Sequence, residues 1–224
     1  MRHNLNNNFS FLLVALLVFL IGVPIAIDLE IFSFETLRAV SFSALLAIGL
    51  WSLRSSGRAF SAAIAFVIVG IVLNLLFAYY KQTVFQVYST IALLAFLLLA
   101  TGTAMKQIAT ANNISANRIV GAICVYLMLG VIWALSYGLL EVMIPGSFGG
   151  LSDEAATLSW SPDWIYFSFV TLTTLGYGDV LPLTFFSRTL AYFEAIVGQF
   201  YLAVLVAGLV SAYLAENQGS PPKA

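Results

Sequence analysis

The chain has 224 residues, of which 61% are hydrophobic and 8% are charged, and its formal net charge is -1. With a mean hydropathy of +0.99, this composition is typical of an integral membrane protein and excludes an ordinary soluble domain. The near-neutral charge also argues against nucleic-acid binding, which needs a basic face.

The residue types that usually carry chemistry are scarce in this sequence. Cys124 is the only cysteine and His3 the only histidine, so neither a disulfide framework nor a thiol metal site is predicted. No catalytic constellation is present in the sequence. We therefore expect that the chain is not an enzyme and needs no cofactor.

Four apolar runs in the first half of the chain predict four membrane-spanning helices, at residues 9–27, 37–53, 59–80 and 84–105. The first run can also be interpreted as a signal peptide, but it is long enough to span a membrane and no small-residue cleavage site follows it. Residues 1–110 are thus expected to form a four-helix transmembrane domain.

The fourth run, residues 84–105, contains no basic residue, and the first one after it is Lys106, just beyond its end.

A polar linker, residues 111–118, is predicted to separate this domain from a second unit at residues 119–216. The second unit should contain an outer helix, a short pore helix and an inner helix, at residues 119–144, 162–173 and 187–214, before a short tail at residues 217–224. The predicted fold is all-α, with six transmembrane helices and one re-entrant pore helix and loop.

Three residues predict where the pore helix begins. Ser161 can cap the first turn, Pro162 is tolerated at the first helical position, and Asp163 complements the positive end of the helix dipole. The apolar segment that follows leads directly into a polar, glycine-containing stretch.

That stretch, residues 171–179, lies between two hydrophobic runs and is expected to enter and leave the membrane on the same side. Irregular backbone at membrane depth is tolerated only where protein buries it or where it lines a water-filled path, which indicates a pore. Gly176 and Gly178 can adopt the positive φ that lets successive carbonyls face one axis. A ring of carbonyls from several identical loops can replace the water around K+. The alternative, a simple glycine turn, does not account for Thr173 and Thr174 before the glycines or for Asp179 after them.

The segment Thr174-Leu175-Gly176-Tyr177-Gly178-Asp179 resembles the signature filter of the tetrameric potassium channels, and the resemblance extends over residues 161–211. Further matching residues are Tyr166, Phe167, Pro182, Arg188 and Gly198. The resemblance implies a homotetramer in the lipid bilayer, with K+ as the permeating ion. It further implies that the ion-binding residues are Thr174, Leu175, Gly176, Tyr177 and Gly178, with K+ held by carbonyls of the first four and by the Thr174 hydroxyl.

The sequence departs from the family pattern at two positions. Leu175 replaces the commoner Val or Ile, which should not change the atoms that face the ion. Position 170 is Val, where some members carry a Glu that pairs with the filter aspartate. The expected donor to Asp179 is therefore Tyr166 or Trp164, and these two residues, with Thr173, are predicted to support the filter.

The inner helix should line the cavity below the filter. Gln199, Leu202, Val206 and Val210 recur at helical spacing, and by resemblance to the family this face forms the cavity and a gate that closes by dewetting. Gly198 is interpreted either as a hinge or as a site of close packing with the pore helix. For Gly208, close packing is favoured.

One further acidic residue lies within each of the predicted outer and inner helices. Glu194 is expected either to brace the pore helix or the filter through a hydrogen bond, for example to Thr171 or Thr173 of its own or a neighbouring chain, which we favour, or to face the cavity and tune ion occupancy. Glu141, near the outer end of the fifth span, is expected to lie at the membrane interface.

The distribution of basic residues predicts the orientation. With both termini cytoplasmic, most Lys and Arg residues lie inside, as the positive-inside rule requires. The filter then faces outward beneath an acidic rim that should raise the local cation concentration. For Asp28, Glu30 and Glu35, the alternative is that these residues only solvate their loop. The Asn113-Ile114-Ser115 sequon would be cytoplasmic and unused.

We interpret the chain as a subunit of a potassium-selective channel in the cell (plasma or inner) membrane. In the voltage-gated relatives that the chain resembles, the fourth span carries regularly spaced arginines, because gating charges have to cross the electric field. The fourth run of this chain has none, so weak voltage dependence, or none, is expected. A potassium uptake subunit is a weaker alternative, because such proteins resemble four pore repeats in one chain and this chain has one. A non-conducting sensor or regulatory subunit that keeps a pore-like fold is the second interpretation. No soluble ligand-binding domain is expected in the tail beyond residue 214, and the sequence does not indicate what opens the pore.

Overall fold

The computed structural model describes residues 8–29, 34–53, 57–110, 116–208 and 210–211. Within these ranges the chain is almost entirely helical. The elements in chain order are α1 (Asn8–Asp28), α2 (Phe34–Leu53), α3 (Gly57–Tyr80), α4 (Thr83–Thr110), α5 (Ala116–Met143), β1 (Phe148–Gly149), α6 (Asp153–Thr157), α7 (Pro162–Leu172), β2 (Leu181–Pro182), α8 (Phe185–Phe200) and a π-helical segment (Tyr201–Val206).

Helix α5 joins the two halves of the molecule. It packs against α1 and α4 of the amino-terminal helices, and also against α7 and α8. One continuous apolar cluster includes Leu16 of α1, Leu93 of α4, Leu135 of α5 and Trp164 of α7. The amino-terminal helices of this chain therefore share a core with the pore helix α7 of the same chain.

A short antiparallel pairing closes the ends of the re-entrant loop. Phe148 of β1 pairs with Pro182 of β2, and Gly149 pairs with Leu181. The Ser187 hydroxyl donates to the Ser147 carbonyl at 2.9 Å. The segment before α7 is thereby fixed to the segment after residue 180, so that α7 and the loop at residues 173–179 lie between two paired ends.

Four helical segments are long and apolar enough to cross a membrane. Among the described residues these segments are Phe9–Ala26, Ala63–Tyr80, Thr83–Thr110 and Ala116–Met143. The chain is therefore a multi-pass membrane protein. The two other predicted crossings correspond to α2 and to α8 with its π-helical continuation.

The helices extend somewhat beyond the predicted spans. Helix α4 continues to Thr110, and α5 already begins at Ala116, so three residues of the predicted linker 111–118 are helical. Pro162 starts α7 as predicted, with Ser161 accepting a hydrogen bond from the Asp163 amide at 3.3 Å. The sequon at 113–115 and the tail at 217–224 lie outside the described residues.

Candidate functional site

The backbone of the loop after α7 alternates in the sign of φ. Thr174 has φ 58°, Gly176 has 62° and Gly178 has 78°. Leu175 and Tyr177 are not among the described residues with positive φ. In an extended strand with uniform φ, successive carbonyls point in opposite directions. A change of sign at every second residue removes this alternation, so successive carbonyl oxygens can face one side.

The loop is attached to the last turn of the pore helix. The Thr174 amide donates to the Thr171 carbonyl at 2.9 Å, and the Leu175 amide donates to the Val170 carbonyl at 2.9 Å. The carboxyl end of α7, which carries the negative end of the helix dipole, therefore lies directly at the base of the loop. This arrangement favours a cation near Thr174.

The side chains of the loop are exposed in the single chain. Leu175 is 56% exposed and Tyr177 is 67% exposed. The Tyr177 ring lies parallel to the Tyr166 ring, with centroids 6.4 Å apart and an interplanar angle of 6°. Tyr177 thus contacts the pore helix with one face, while the other side of the loop is left uncovered by its own chain.

Tyr166 is the residue that binds the aspartate of the loop. Its hydroxyl donates to Asp179 Oδ2 at 2.5 Å, and this hydrogen bond lowers the pKa of the Asp179 carboxyl. The second oxygen accepts from the Val180 amide at 3.0 Å. Trp164, the other donor expected from the sequence, does not bind Asp179, because its indole donates to the Leu158 carbonyl at 3.1 Å.

Trp164 instead anchors the pore helix in the core. It is 1% exposed, and its ring contacts the Phe148 ring edge to face at 5.1 Å. Phe148 in turn contacts Tyr137 and Phe167. This aromatic cluster fixes α7 against α5 and against the strand that closes the loop.

Glu194 lies behind the loop and is fully buried. Its carboxyl oxygens contact the Ser168 hydroxyl at 2.6 Å and the Tyr137 hydroxyl. The partner on α7 is thus Ser168 and, within this chain, not the expected Thr171 or Thr173; the Thr173 hydroxyl donates to the Phe169 carbonyl of its own helix. The alternative in which Glu194 faces the cavity is also wrong, because the side chain has no exposed surface.

Glu141 is a second buried acid, which the sequence placed at the membrane interface. It is 3% exposed, and its two oxygens accept from the amides of Gly146 at 2.7 Å and Phe148 at 3.0 Å. The side chain therefore holds the turn that follows α5. Such a role depends on the path of the loop, which the sequence pattern does not reveal.

An open groove of about 390 Å³ lies below the loop. Gln199 reaches into it and donates to the Thr174 hydroxyl at 3.1 Å. The groove is lined by Thr174, Ala195, Ile196, Gln199, Phe200 and Ala203. Gln199 therefore lies where the sequence predicted, but Leu202 and Val210 are not among the lining residues, and the side chain of Val206 lies outside the described part.

A π-helical segment, Tyr201–Val206, follows Phe200, and its hydrogen bonds skip one further residue and change the rotation per residue. Ala203 of this segment still lines the groove, so the face that Gln199 occupies continues beyond Phe200. The cavity roles of Leu202, Val206 and Val210 stay a prediction, because the cavity is expected to form between several chains.

Gly198 contacts the pore helix closely. A Cβ atom at this position would collide with the Leu172 carbonyl oxygen and lie 2.9 Å from the Leu172 Cδ1 atom. The structure thus supports close packing, one of the two roles considered for Gly198. A Cβ atom at Gly208 would meet no described atom within 4 Å, so the expected close packing of Gly208 is not found within the described part of the chain.

Comparison with known proteins gives two matches. Residues 123–215 match the sequence model of a family described as "Ion channel". Two-pore potassium channel 5 of Arabidopsis thaliana is 38% identical over 58 residues, which are 26% of this chain and 14% of that protein. The chain thus spans only a small part of the relative, and no solved structure matches it. The matched region contains most of α5 together with α7, the loop and α8.

Proposed function

We propose that four copies of this chain form a potassium-selective channel in the cell (plasma or inner) membrane, with six crossings per chain and both termini cytoplasmic. The observation that carries this proposal is the alternating sign of φ at Thr174, Gly176 and Gly178 directly after the pore helix. No ordinary turn requires three such positions in a row at every second residue. The ion channel domain and the potassium channel relative support the same assignment.

In this proposal, K+ crosses in single file between carbonyls of Thr174, Leu175, Gly176 and Tyr177. Carbonyl dipoles replace the hydration shell, and repulsion between neighbouring ions keeps the ions moving. The Thr174 hydroxyl donates to the Thr173 carbonyl at 2.7 Å and accepts from Gln199. Its oxygen keeps one lone pair, which is available to an ion that enters from the groove below.

The exposed side of the loop requires further copies of the chain. Backbone carbonyls at membrane depth cannot face lipid without a large loss of hydrogen bonding. Helix α8 also leaves large apolar side chains uncovered, among them Phe185, Ile196 and Phe200. A closed ring of identical chains would cover both surfaces and bring the carbonyls together on one axis.

Ion flux into liposomes tests this function. Purified protein should pass K+ at high rate, exclude Na+ and be blocked by barium. The test variant is Gly178→Ala, which forces an L side chain into positive φ. Its matched control is Gly102→Ala, where the added Cβ meets no described atom within 4 Å. We expect the first substitution to abolish selective flux and the second to preserve it. Equal passage of Na+ and K+ by the unmodified protein would refute the proposal.

A further inference from the structure

Glu194 and its neighbours form a hydrogen-bonded cluster that joins three helices behind the filter. Glu194 belongs to α8, Ser168 to α7, and Tyr137 and Gly130 to α5. Glu194 has no exposed surface, and Ser168 is equally buried. Both partners of the carboxyl group are neutral hydroxyl groups, so the contacts described supply no countercharge to an ionised carboxylate.

Three short oxygen–oxygen contacts hold this cluster together. Ser168 Oγ lies 2.6 Å from Glu194 Oε1 and 2.7 Å from the Gly130 carbonyl oxygen. The Tyr137 hydroxyl contacts Glu194 Oε2. Each contact at such a distance needs one hydrogen atom between the two oxygens. Because a serine and a tyrosine hydroxyl supply only one hydrogen each, two hydrogens are available for three contacts.

The contact between Ser168 and the Gly130 carbonyl shows where the third hydrogen belongs. A carbonyl oxygen cannot donate, so the Ser168 hydroxyl must donate to it. Ser168 then has only lone pairs to offer to Glu194. The hydrogen between Ser168 and Glu194 therefore has to come from the carboxyl group.

We propose that the carboxyl group of Glu194 is a proton-binding site that is occupied in the folded channel. The protonated carboxyl donates to Ser168 through Oε1, Ser168 donates to the Gly130 carbonyl, and the Tyr137 hydroxyl donates to Oε2. A fully buried carboxylate without a countercharge would carry a large desolvation cost, which the bound proton removes. Glu194 thus acts as a neutral positioning residue.

The location of this site connects the proton to the filter. On α7, Ser168 and Leu172 lie one turn apart, and on α8 the same spacing separates Glu194 from Gly198. The contact between Gly198 and Leu172 continues the same seam towards the filter. The proton therefore holds the end of the pore helix from which the filter starts. This consequence for conduction rests on the proposed function, whereas the protonation of Glu194 does not.

Paired glutamine substitutions test the proposal without any flux measurement. Glutamine resembles a protonated glutamic acid, because it offers one donor and one acceptor group. Glu194→Gln should keep the wild-type melting temperature in detergent. Glu141→Gln is the matched control, because Glu141 accepts from two backbone amides and an amide nitrogen cannot accept. We expect the control to melt several degrees lower, since it leaves a buried donor unpaired.

Infrared spectroscopy detects the protonated form of the Glu194 carboxyl group directly. At neutral pH the wild-type protein should show the carbonyl stretch of a protonated carboxylic acid, and this band should be missing from Glu194→Gln. Glu194→Leu, which removes both contacts, should melt below the wild type. The proposal is overturned if Glu194→Gln melts as low as the Glu141→Gln control, or if the two spectra do not differ in this band. If the melting temperatures and the infrared band behave as expected but the wild-type protein passes no K+, the result counts against the proposed function instead.

Discussion

At the scale of single residues, a hydrogen bond from Tyr166 holds Asp179 at the end of the proposed filter loop. Tyr166 donates to Asp179 and lies parallel to Tyr177, so one pore-helix side chain contacts two positions of the loop. The bond favours the ionised form of Asp179, whose pKa it lowers from the ordinary value of 3.8. The stabilisation is therefore present above this value and is lost as the pH falls through the lowered pKa.

Tyr166→Phe should make the outer mouth more sensitive to acid. Without the hydroxyl, the pKa of Asp179 returns towards its ordinary value, so the carboxylate is neutralised at a higher external pH. We expect wild-type K+ current to survive external acidification further than the variant current does, and the variant current to decay faster in long recordings. Tyr88→Phe, at an exposed position on α4, serves as the control. Identical acid titrations of all three proteins would contradict this role of Tyr166.

Gly198→Ala should disturb the filter rather than a hinge. The added methyl group collides with the Leu172 carbonyl, so α7 and α8 have to separate at the base of the filter. Overpacking of this kind costs about 1–3 kcal/mol. Thermal melting should show the loss, and Na+ permeability should rise. Gly208→Ala adds the same methyl group where it meets no described atom within 4 Å, and an equal effect of both substitutions would argue against the packing role.

At the scale of elements, α4 contacts the loop that leads into the pore helix. Ser159 accepts from Gln86 at 3.3 Å and lies 2.6 Å from the Thr90 hydroxyl. Gln86 also approaches the Thr157 carbonyl at 3.4 Å. Ser159 is only two residues before Ser161, which caps α7. The outer end of α4 is thus connected to the start of the pore helix by buried polar contacts.

Ser159→Ala should weaken this connection. Removal of the hydroxyl takes away a buried partner of both Gln86 and Thr90, which costs about 1–3 kcal/mol. A double-mutant cycle with Thr90→Val measures the coupling, because the second substitution should add little once Ser159 is lost. Fully additive changes in melting temperature would show that the two hydroxyls do not interact.

The composition of α4 also determines how the channel should respond to voltage. The described helix carries one basic residue, Lys106, near its carboxyl end. One charge that crosses the whole field gains only about 2.3 kcal/mol per 100 mV, so steep gating needs several charges. We expect conductance in planar bilayers to vary little between negative and positive potentials. A steep conductance–voltage curve would require charges that α4 does not contain.

At the scale of the whole molecule, the proposed ion site is incomplete in one chain. A single loop offers carbonyls on one side only, and its exposed side chains need a neighbour. Binding of K+ should therefore stabilise the assembly and not the isolated chain. Helices α4 and α5 already pack against each other within one chain. Large side chains of α7, the loop and α8 are exposed, so we expect neighbouring chains to meet mainly through these elements.

Exchange of Na+ for K+ should raise the melting temperature of the proposed tetramer. A ligand at one hundred times its dissociation constant adds about 2.7 kcal/mol to the stability of the state that binds it. Native mass spectrometry should find four chains, and the ion effect should vanish in any sample that has dissociated into single chains. A different stoichiometry, or equal stabilisation by both ions, would contradict the fourfold site.

Much of this arrangement follows from local sequence patterns. Hydropathy runs depend on nearby residues alone, so the bounds of the long helices could be predicted to within a few residues. The capping residues predicted the start of α7 at Pro162. The glycines predicted the positive φ of the loop, because few other residues adopt it readily. Tyr166 was one of two expected donors to Asp179, since both lie within the first turns of the pore helix.

The partners of buried polar groups were decided by tertiary packing. Glu194 contacts Ser168 and Tyr137 because α5, α7 and α8 meet at that point, and no spacing within α8 specifies the two neighbouring helices. Glu141 binds amides whose position depends on the fold of the loop after α5. The π-helical hydrogen bonds of Tyr201–Val206 change the rotation per residue in the inner helix, and the sequence pattern did not predict this segment. Local chemistry thus determined the elements and the filter, whereas the contacts between helices determined what supports them.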